Sequence, residues 1–207
     1  MKTGLVEKLI QQGRLNTPSA ISAFKRIKRI DFLPFKERIF ADQDFALPIG
    51  FHQTISQPSV VAFMLEELEV KEGDKILDVG AGSGWTAALL AELTGRKGKV
   101  IAFEIVPELA EFARKNVEKY GFLKEGRVEV VIGSAENGCE KEAPFDRILC
   151  SASLADDIPL LWKKQLKIGG KIVASVRSSI LVLEKKDEKS FKEKEFPGFS
   201  FVPFIKK

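Results

Sequence analysis

Histidine and cysteine are nearly missing from this sequence, which has one His, His52, and two Cys, Cys139 and Cys150, in 207 residues. The two thiols lie at no metal-ligand spacing, and one imidazole adds little, so no metal site is expected. Long apolar runs are also lacking: none approaches the roughly 18 residues of a membrane span. Residues 1–12 show no apolar stretch followed by small residues, so no secretory signal and no membrane partner are expected. The expected compartment is a reducing cytoplasm. Charge of one sign is scarce as well, since 33 Lys and Arg stand against 29 Asp and Glu, a net charge of +4. No basic stripe with interleaved aromatics accompanies that excess, so nucleic acid is not indicated as a partner. A chain of this length should bury roughly 70% of its unfolded surface as a single domain, here expected as a monomer.

What is present falls into two parts: a helical extension with a loop over 1–70, and a strand–helix core over 71–207. In the first part, Val6, Leu9 and Ile10 share a helix face, and Thr17-Pro18 reads as a capped helix start. Ala20, Ile21, Phe24 and Ile27 then recur at helical spacing. From 31 to 53 the periodicity fails, and Pro34, Pro48 and Gly50 suggest an ordered loop. Pro58 opens another helix, with Val60, Val61, Met64, Leu65 and Leu68 on one stripe. In the second part, apolar runs at 75–79, 100–103, 128–132, 147–150 and 171–176 mostly alternate with helical segments such as 87–93 and 108–120. Such alternation predicts an α/β fold, a doubly wound and mostly parallel sheet of seven strands. At the end, 179–184 and 199–204 read as an antiparallel edge hairpin, and the charged run 184–195 between them reads as a solvated loop.

The best-defined motif is Asp78-Val79-Gly80-Ala81-Gly82-Ser83-Gly84, at the point where a first strand should turn into a helix. Glycines there permit a sharp turn and close approach of a ligand to the main chain. A dinucleotide site needs G-x-G-x-x-G facing a pyrophosphate. Here the third glycine comes one residue early and Asp78 precedes the turn, an arrangement better suited to a cationic ligand. S-adenosyl-L-methionine carries a sulfonium and an ammonium group. Glu104, at the end of the second strand, can accept hydrogen bonds from both ribose hydroxyls. The glycine loop, Asp78 and Glu104 together resemble the cofactor motif of class I methyltransferases, which release S-adenosyl-L-homocysteine.

Residues 42–63 read DQDFALPIGFHQTISQPSVVAF. This segment resembles the protein-L-isoaspartate (D-aspartate) O-methyltransferase family, whose members carry a similar LPIG-aromatic-x-Q-TIS-x-P stretch just before the glycine loop. EAPFDRILCSAS at 142–153, LLWKKQLKIGGKIV at 160–173 and FVPF at 201–204 extend the resemblance over most of the chain. It implies methylation of the α-carboxylate of L-isoaspartyl and D-aspartyl residues in damaged proteins or peptides. The ester then closes to a succinimide, whose hydrolysis returns some normal aspartate. It implies Ser56 as the active-site serine in contact with that carboxylate. Thr54, Ile55 and Ser59 would line the cofactor pocket, and Gly80, Ala81 and Gly82 would cradle the methionine part. Glu104 and Ile105 would hold the ribose and flank the adenine, with Ser134 and Ala135 near the ring. Val202 and Pro203 would border the substrate groove. A carboxylate acceptor is already ionised at neutral pH, so no general base is needed and the work is positioning.

The chain departs from the family pattern at four places. Gly133-Ser134-Ala135 lacks the acid of the usual Gly-Asp-Gly, and His52 replaces a small residue. Ser151-Ala152-Ser153-Leu154 replaces an alanine- and proline-rich stretch, and Arg177-Ser178-Ser179 a glycine-rich turn. Two alternatives are a methyltransferase of the same fold acting on RNA or a small molecule, and a cofactor-binding module without turnover. Ser56 could also serve only as a helix N-cap, two residues before Pro58.

Overall fold

The computed structural model describes residues 4–205; Met1–Thr3 and the last two lysines lie outside them. Seven strands form the main sheet in the order β5-β4-β3-β6-β7-β8-β9. The parallel part comprises β3 (Lys75–Val79), β4 (Lys99–Glu104), β5 (Val128–Ile132), β6 (Phe145–Leu154) and β7 (Leu166–Val176). Within these strands neighbouring residues serve opposite faces. Ile76, Val100 and Ala102 join the core beneath α3 (Pro58–Leu68), α4 (Trp85–Thr94) and α5 (Pro107–Glu118). Leu77, Ile101 and Ile148 join the core around Trp162 of α6 (Leu160–Gln165). Apolar residues on both faces explain why these strands read as continuous apolar runs.

The N-terminal helices α1 (Leu5–Gln11) and α2 (Pro18–Arg26) extend the first core, through Leu5, Leu9, Ala20, Ala23 and Phe24. Thr17 accepts the Ala20 N–H at 3.4 Å, as the capped helix start required. Ile10, expected on the buried face of α1, is instead exposed; Leu5 takes its place. The 31–53 loop carries more regular structure than its sequence suggests. Two 3-10 turns, Arg29–Phe32 and Phe35–Phe40, lead into a small hairpin of β1 (Leu47–Gly50) and β2 (Gln53–Ile55).

The C-terminal hairpin pairs differently from the sequence expectation. β8 (Ser179–Lys185) runs antiparallel to β7, and its other neighbour is β9 (Phe191–Pro197), which contains the second part, 191–195, of the charged run read as a loop. An edge strand exposes one row of backbone groups to water, and charged side chains there are compatible with pairing and resist aggregation. Phe196 anchors β9 by an edge-on contact with Phe63, ring centroids 4.9 Å apart. Lys194 reaches Glu67 at 3.3 Å. Residues 199–204 therefore lie outside the paired strands, with the Phe199 N–H donating to the Ser178 carbonyl at 3.0 Å. They cross the ends of the parallel strands, where the Ser153 N–H donates to the Val202 carbonyl and Phe204 N–H to the Ser153 carbonyl, both at 2.8 Å.

Candidate active site

The sheet order reverses direction between β3 and β6, so crossovers leave in opposite directions there and open a crevice at the carboxyl ends of the strands. A cavity of about 800 Å³, counted out into its open mouth, occupies that crevice. Its floor is the glycine loop. Gly80 and Gly82 have φ of +80° and +54°, which non-glycine residues avoid. The N–H groups of Gly80 and Ala81 donate to the Phe103 carbonyl, both at 2.9 Å. A Cβ on Gly82 would stand 3.2 Å from Ile49 Cδ1, so the loop packs closely against the β1–β2 hairpin. Gly84 serves the fold, because a Cβ there would meet Val117 and Ala113 of α5 at 3.0–3.1 Å.

Both acids singled out in the sequence lie at this loop, in different roles. Glu104 lines the cavity and is largely buried. One of its oxygens accepts the Gly82 N–H at 2.7 Å and the other the Val106 N–H at 3.0 Å. A carboxylate has about four acceptor positions, so roughly two remain for a ligand. Asp78 is fully buried behind the loop and does not line the cavity. One oxygen accepts the Thr86 hydroxyl at 2.8 Å; the other has no partner among the described residues. Burial pushes its carboxyl up to about 7, with the nearby Glu104 charge adding to the rise and the Thr86 hydrogen bond opposing it.

Thr54 and Ile55 of β2, then Ser56, Ile105, Ser134, Ala135, Val202 and Pro203 all line the cavity. Ser134 Oγ is engaged within its own turn by the Glu136 N–H at 3.2 Å. The Ala135 carbonyl accepts the Trp162 indole N–H at 2.7 Å, which makes that Trp a packing residue. Ser59 lies elsewhere than the resemblance implied. It lines an adjoining groove together with Phe63, Phe199, Phe201 and Arg14, the one charged side chain among the described residues that line it. Thr54, Ser56, Ser151 and Val202 form the boundary common to cavity and groove. His52 stands at the exposed tip of the hairpin with φ +57°, away from both. Cys150 is buried and its thiol is pushed up to about 12, so it is no nucleophile at neutral pH.

Ser56 is not the cap of α3. Gln57 occupies that position, and the Ser59 N–H donates to Asp44 Oδ1 at 2.8 Å. The Ser56 carbonyl accepts from Arg29, which also donates to the carbonyls of Ala41, Gln43 and Phe45. This guanidinium is buried, sits 5.6 Å from the Trp85 ring centre and is lowered to about 10 by desolvation, with Asp44 opposing. Arg29 and Asp44 were not singled out in the sequence. Arg29 lies in a run of similar basic residues, and Asp44 in a segment without periodicity. The LPIG–TIS stretch beside Asp44 was the only signal.

The family model described as Protein-L-isoaspartate(D-aspartate) O-methyltransferase (PCMT) matches residues 1–207. This chain belongs to that family. Protein-L-isoaspartate O-methyltransferase of Thermococcus onnurineus is 44% identical over 97% of this chain and 91% of its own. Protein-L-isoaspartate O-methyltransferase 2 of Archaeoglobus fulgidus is 41% identical over 96% and 90%. Among solved structures, a Plasmodium falciparum protein-L-isoaspartate O-methyltransferase in complex with S-adenosyl-L-homocysteine superposes with a TM-score of 0.89 at 22% identity, covering 100% of both chains. At that identity the likeness is one of fold. Another protein-L-isoaspartate O-methyltransferase structure gives 0.84 at 27% identity, over 96% of this chain and 64% of that one.

Proposed function

We propose that this chain transfers a methyl group from S-adenosyl-L-methionine to the α-carboxylate of L-isoaspartyl and D-aspartyl residues in damaged proteins, leading to repair through a succinimide. The observation that carries this reading is the shared boundary. The Thr54–Ser56 stretch separates a cavity floored by the glycine loop from an adjoining open groove.

The cavity residues fit the cofactor. The Gly80–Gly82 turn leaves the main chain bare, Glu104 retains acceptor positions, and Asp78 holds an unpartnered oxygen close behind the loop. When bound, the cofactor supplies a methyl group on a positively charged sulfur. On this reading Gly80, Ala81 and Gly82 cradle its methionine part, and Glu104 accepts from its ribose. Ile105, Ser134 and Ala135 face the adenine, while Asp78 acts through the loop it underlies. Ser56, whose hydroxyl makes no hydrogen bond among the described residues, orients the acceptor carboxylate by donating to one oxygen. The other oxygen keeps its lone pair for attack. Val202 and Pro203 hold the groove side, and Arg14 gives that surface a charge that complements an anionic acceptor.

On the same reading the chain acts as a monomeric single domain, with 1–70 supplying the acceptor side and 71–207 the cofactor side. The two free thiols fit a reducing cytoplasm. No helix among the described residues is long and apolar enough to cross a membrane.

Labelled methyl transfer to an isoaspartyl peptide, its normal aspartyl twin and bulk tRNA tests the reading. Base-labile label should appear on the first alone. Ser56→Ala should slow transfer roughly 10- to 100-fold, the worth of one hydrogen bond to a charged group, and leave the melting temperature unchanged because Ser56 caps no helix. Label on tRNA with none on the isoaspartyl peptide would replace this reading with an RNA methyltransferase.

A further inference from the structure

We infer that Ser151 is a second catalytic hydroxyl, donating to the acceptor carboxylate alongside Ser56. The inference rests on the isoaspartyl reading above, and three observations carry it. First, Ser151 Oγ is buried and has no hydrogen-bond partner among the described residues. A buried hydroxyl left unpaired costs free energy, and a bound ligand is one way to offset it.

Second, the residue sits on the boundary between cavity and groove, with Thr54, Ser56 and Val202. A group that transfers from a peptide in the groove to a donor in the cavity must pass this boundary. Third, the backbone is built to present it. β6 pairs with β7 in register up to Cys150↔Ala174, and pairing resumes only at Leu154↔Val176. Three residues of β6, beginning with Ser151, therefore face the single residue Ser175 of β7. Bulges of this kind bend a strand and re-aim its side chains, and they gather beside active sites. On its other side β6 loses its neighbour at the same point. Val79↔Cys150 is the last pair with β3, and Gly80 then turns away into the glycine loop. Ser151 is thus the first residue of β6 past the strand end, at the switch point of the sheet. Ser175 Oγ is also unpaired but lines neither space.

Two hydroxyl donors suit the chemistry. Each can donate to the carboxylate without removing its charge. One acceptor oxygen forms the new C–O bond to the methyl carbon as the C–S bond breaks. The electron pair of that bond stays on sulfur and neutralises its charge, and no proton moves. Two donors restrict the orientation of the carboxylate more than one does, and that orientation decides whether the attacking lone pair is in line with the methyl group.

Ser151→Ala and Ser151→Thr test the inference, with Ser56→Ala and the double variant beside them. Ser151→Ala should lower kcat/KM on an isoaspartyl peptide roughly 10- to 100-fold, and Ser151→Thr should recover most of it. Calorimetry with S-adenosyl-L-homocysteine present should show weaker binding of the peptide to Ser151→Ala, at an unchanged melting temperature. The double variant should lose less than the product of the two single losses, since both hydroxyls hold one group. Transfer and peptide affinity in Ser151→Ala within twofold of wild type would overturn the inference and leave the isoaspartyl reading standing. So would a fall in melting temperature with normal activity per folded molecule, the sign of a packing hydroxyl between β6 and β7. A wild type that ignores isoaspartyl peptide would sink both.

Discussion

The two walls of the cavity are held in different ways. The wall proposed for the cofactor, with the glycine loop and Glu104, grows out of the sheet; the wall proposed for the acceptor is residues 41–56. The glycine loop begins at the fully buried end of β3, donates two N–H groups to the Phe103 carbonyl and a third to Glu104, and passes into a buried helix. The acceptor wall has no such frame. Residues 41–56 include only a two-stranded hairpin, which is marginal by itself. One buried guanidinium, from Arg29, gathers four of its carbonyls, and one carboxylate, Asp44, ties it to the start of α3. Where strand pairing sets a shape, single substitutions shift it little. A shape gathered by one side chain can be lost with that side chain.

The sharpest way to break the comparison is Arg29→Ala. It leaves carbonyls of the acceptor wall without their donor and should destabilise the protein by about 3 kcal/mol or more, a fall of roughly 6–12 °C in melting temperature. Activity per folded molecule should fall further than cofactor affinity. Arg29→Lys should recover little, since an ammonium cannot reproduce the planar fork that spans four carbonyls. Thermal melts with calorimetry and rate measurements on both variants decide this. Equal losses of cofactor affinity and rate would show that the two walls are one unit.

Next in size is Glu104, on the cofactor wall. Glu104→Ala should weaken S-adenosyl-L-homocysteine binding by about 1.5–3 kcal/mol. Because its carboxylate also holds the Gly82 and Val106 N–H groups, some stability should go with it. Glu104→Gln keeps one acceptor oxygen and should separate the two effects, with a smaller loss in melting temperature than in affinity.

Asp78 gives a pH signature to the same wall. Its carboxyl stands near 7 in the folded protein against an ordinary value of 3.8. Between pH 4 and 7 the folded state therefore keeps a proton that the unfolded chain has released. The stability from this group is present at low pH, declines as pH rises toward 7 and is lost above it. Asp78→Asn should flatten that decline, so urea unfolding at pH 5 and pH 8 should differ less in the variant than in wild type. A parallel pair of pH curves would mean that Asp78 titrates near its ordinary value.

The smallest effect belongs to the acceptor hairpin. Phe51 and His52 hold φ of +52° and +57° at its tip, a conformation that glycine adopts without steric cost. His52→Gly should stabilise the protein by less than about 1 kcal/mol and leave cofactor affinity as it was. A loss of stability measured in urea would show that the imidazole packs usefully where it stands.

The sequence by itself determined the parts whose physics is local. Alternating apolar runs and helices specified the parallel core, with β3 and β5 bounded as their patterns read, because strand and helix periods appear in the residues themselves. The glycine spacing and Glu104 pointed to residues that line the cavity for the same reason, and the TIS stretch to others on its border. Tertiary structure alone decided what depends on partners distant in sequence. Nothing in Lys192–Glu195 announces a strand; these residues become one because β8 offers them an unpaired edge. Phe199–Phe204 has the apolar pattern of a strand yet crosses the strand ends instead, since that edge is taken. Ser59 faces the groove because Asp44 reaches back to the start of α3. Arg29, one basic residue among several in its segment, organises a wall because folding brings four carbonyls, two segments apart, to a single buried cation.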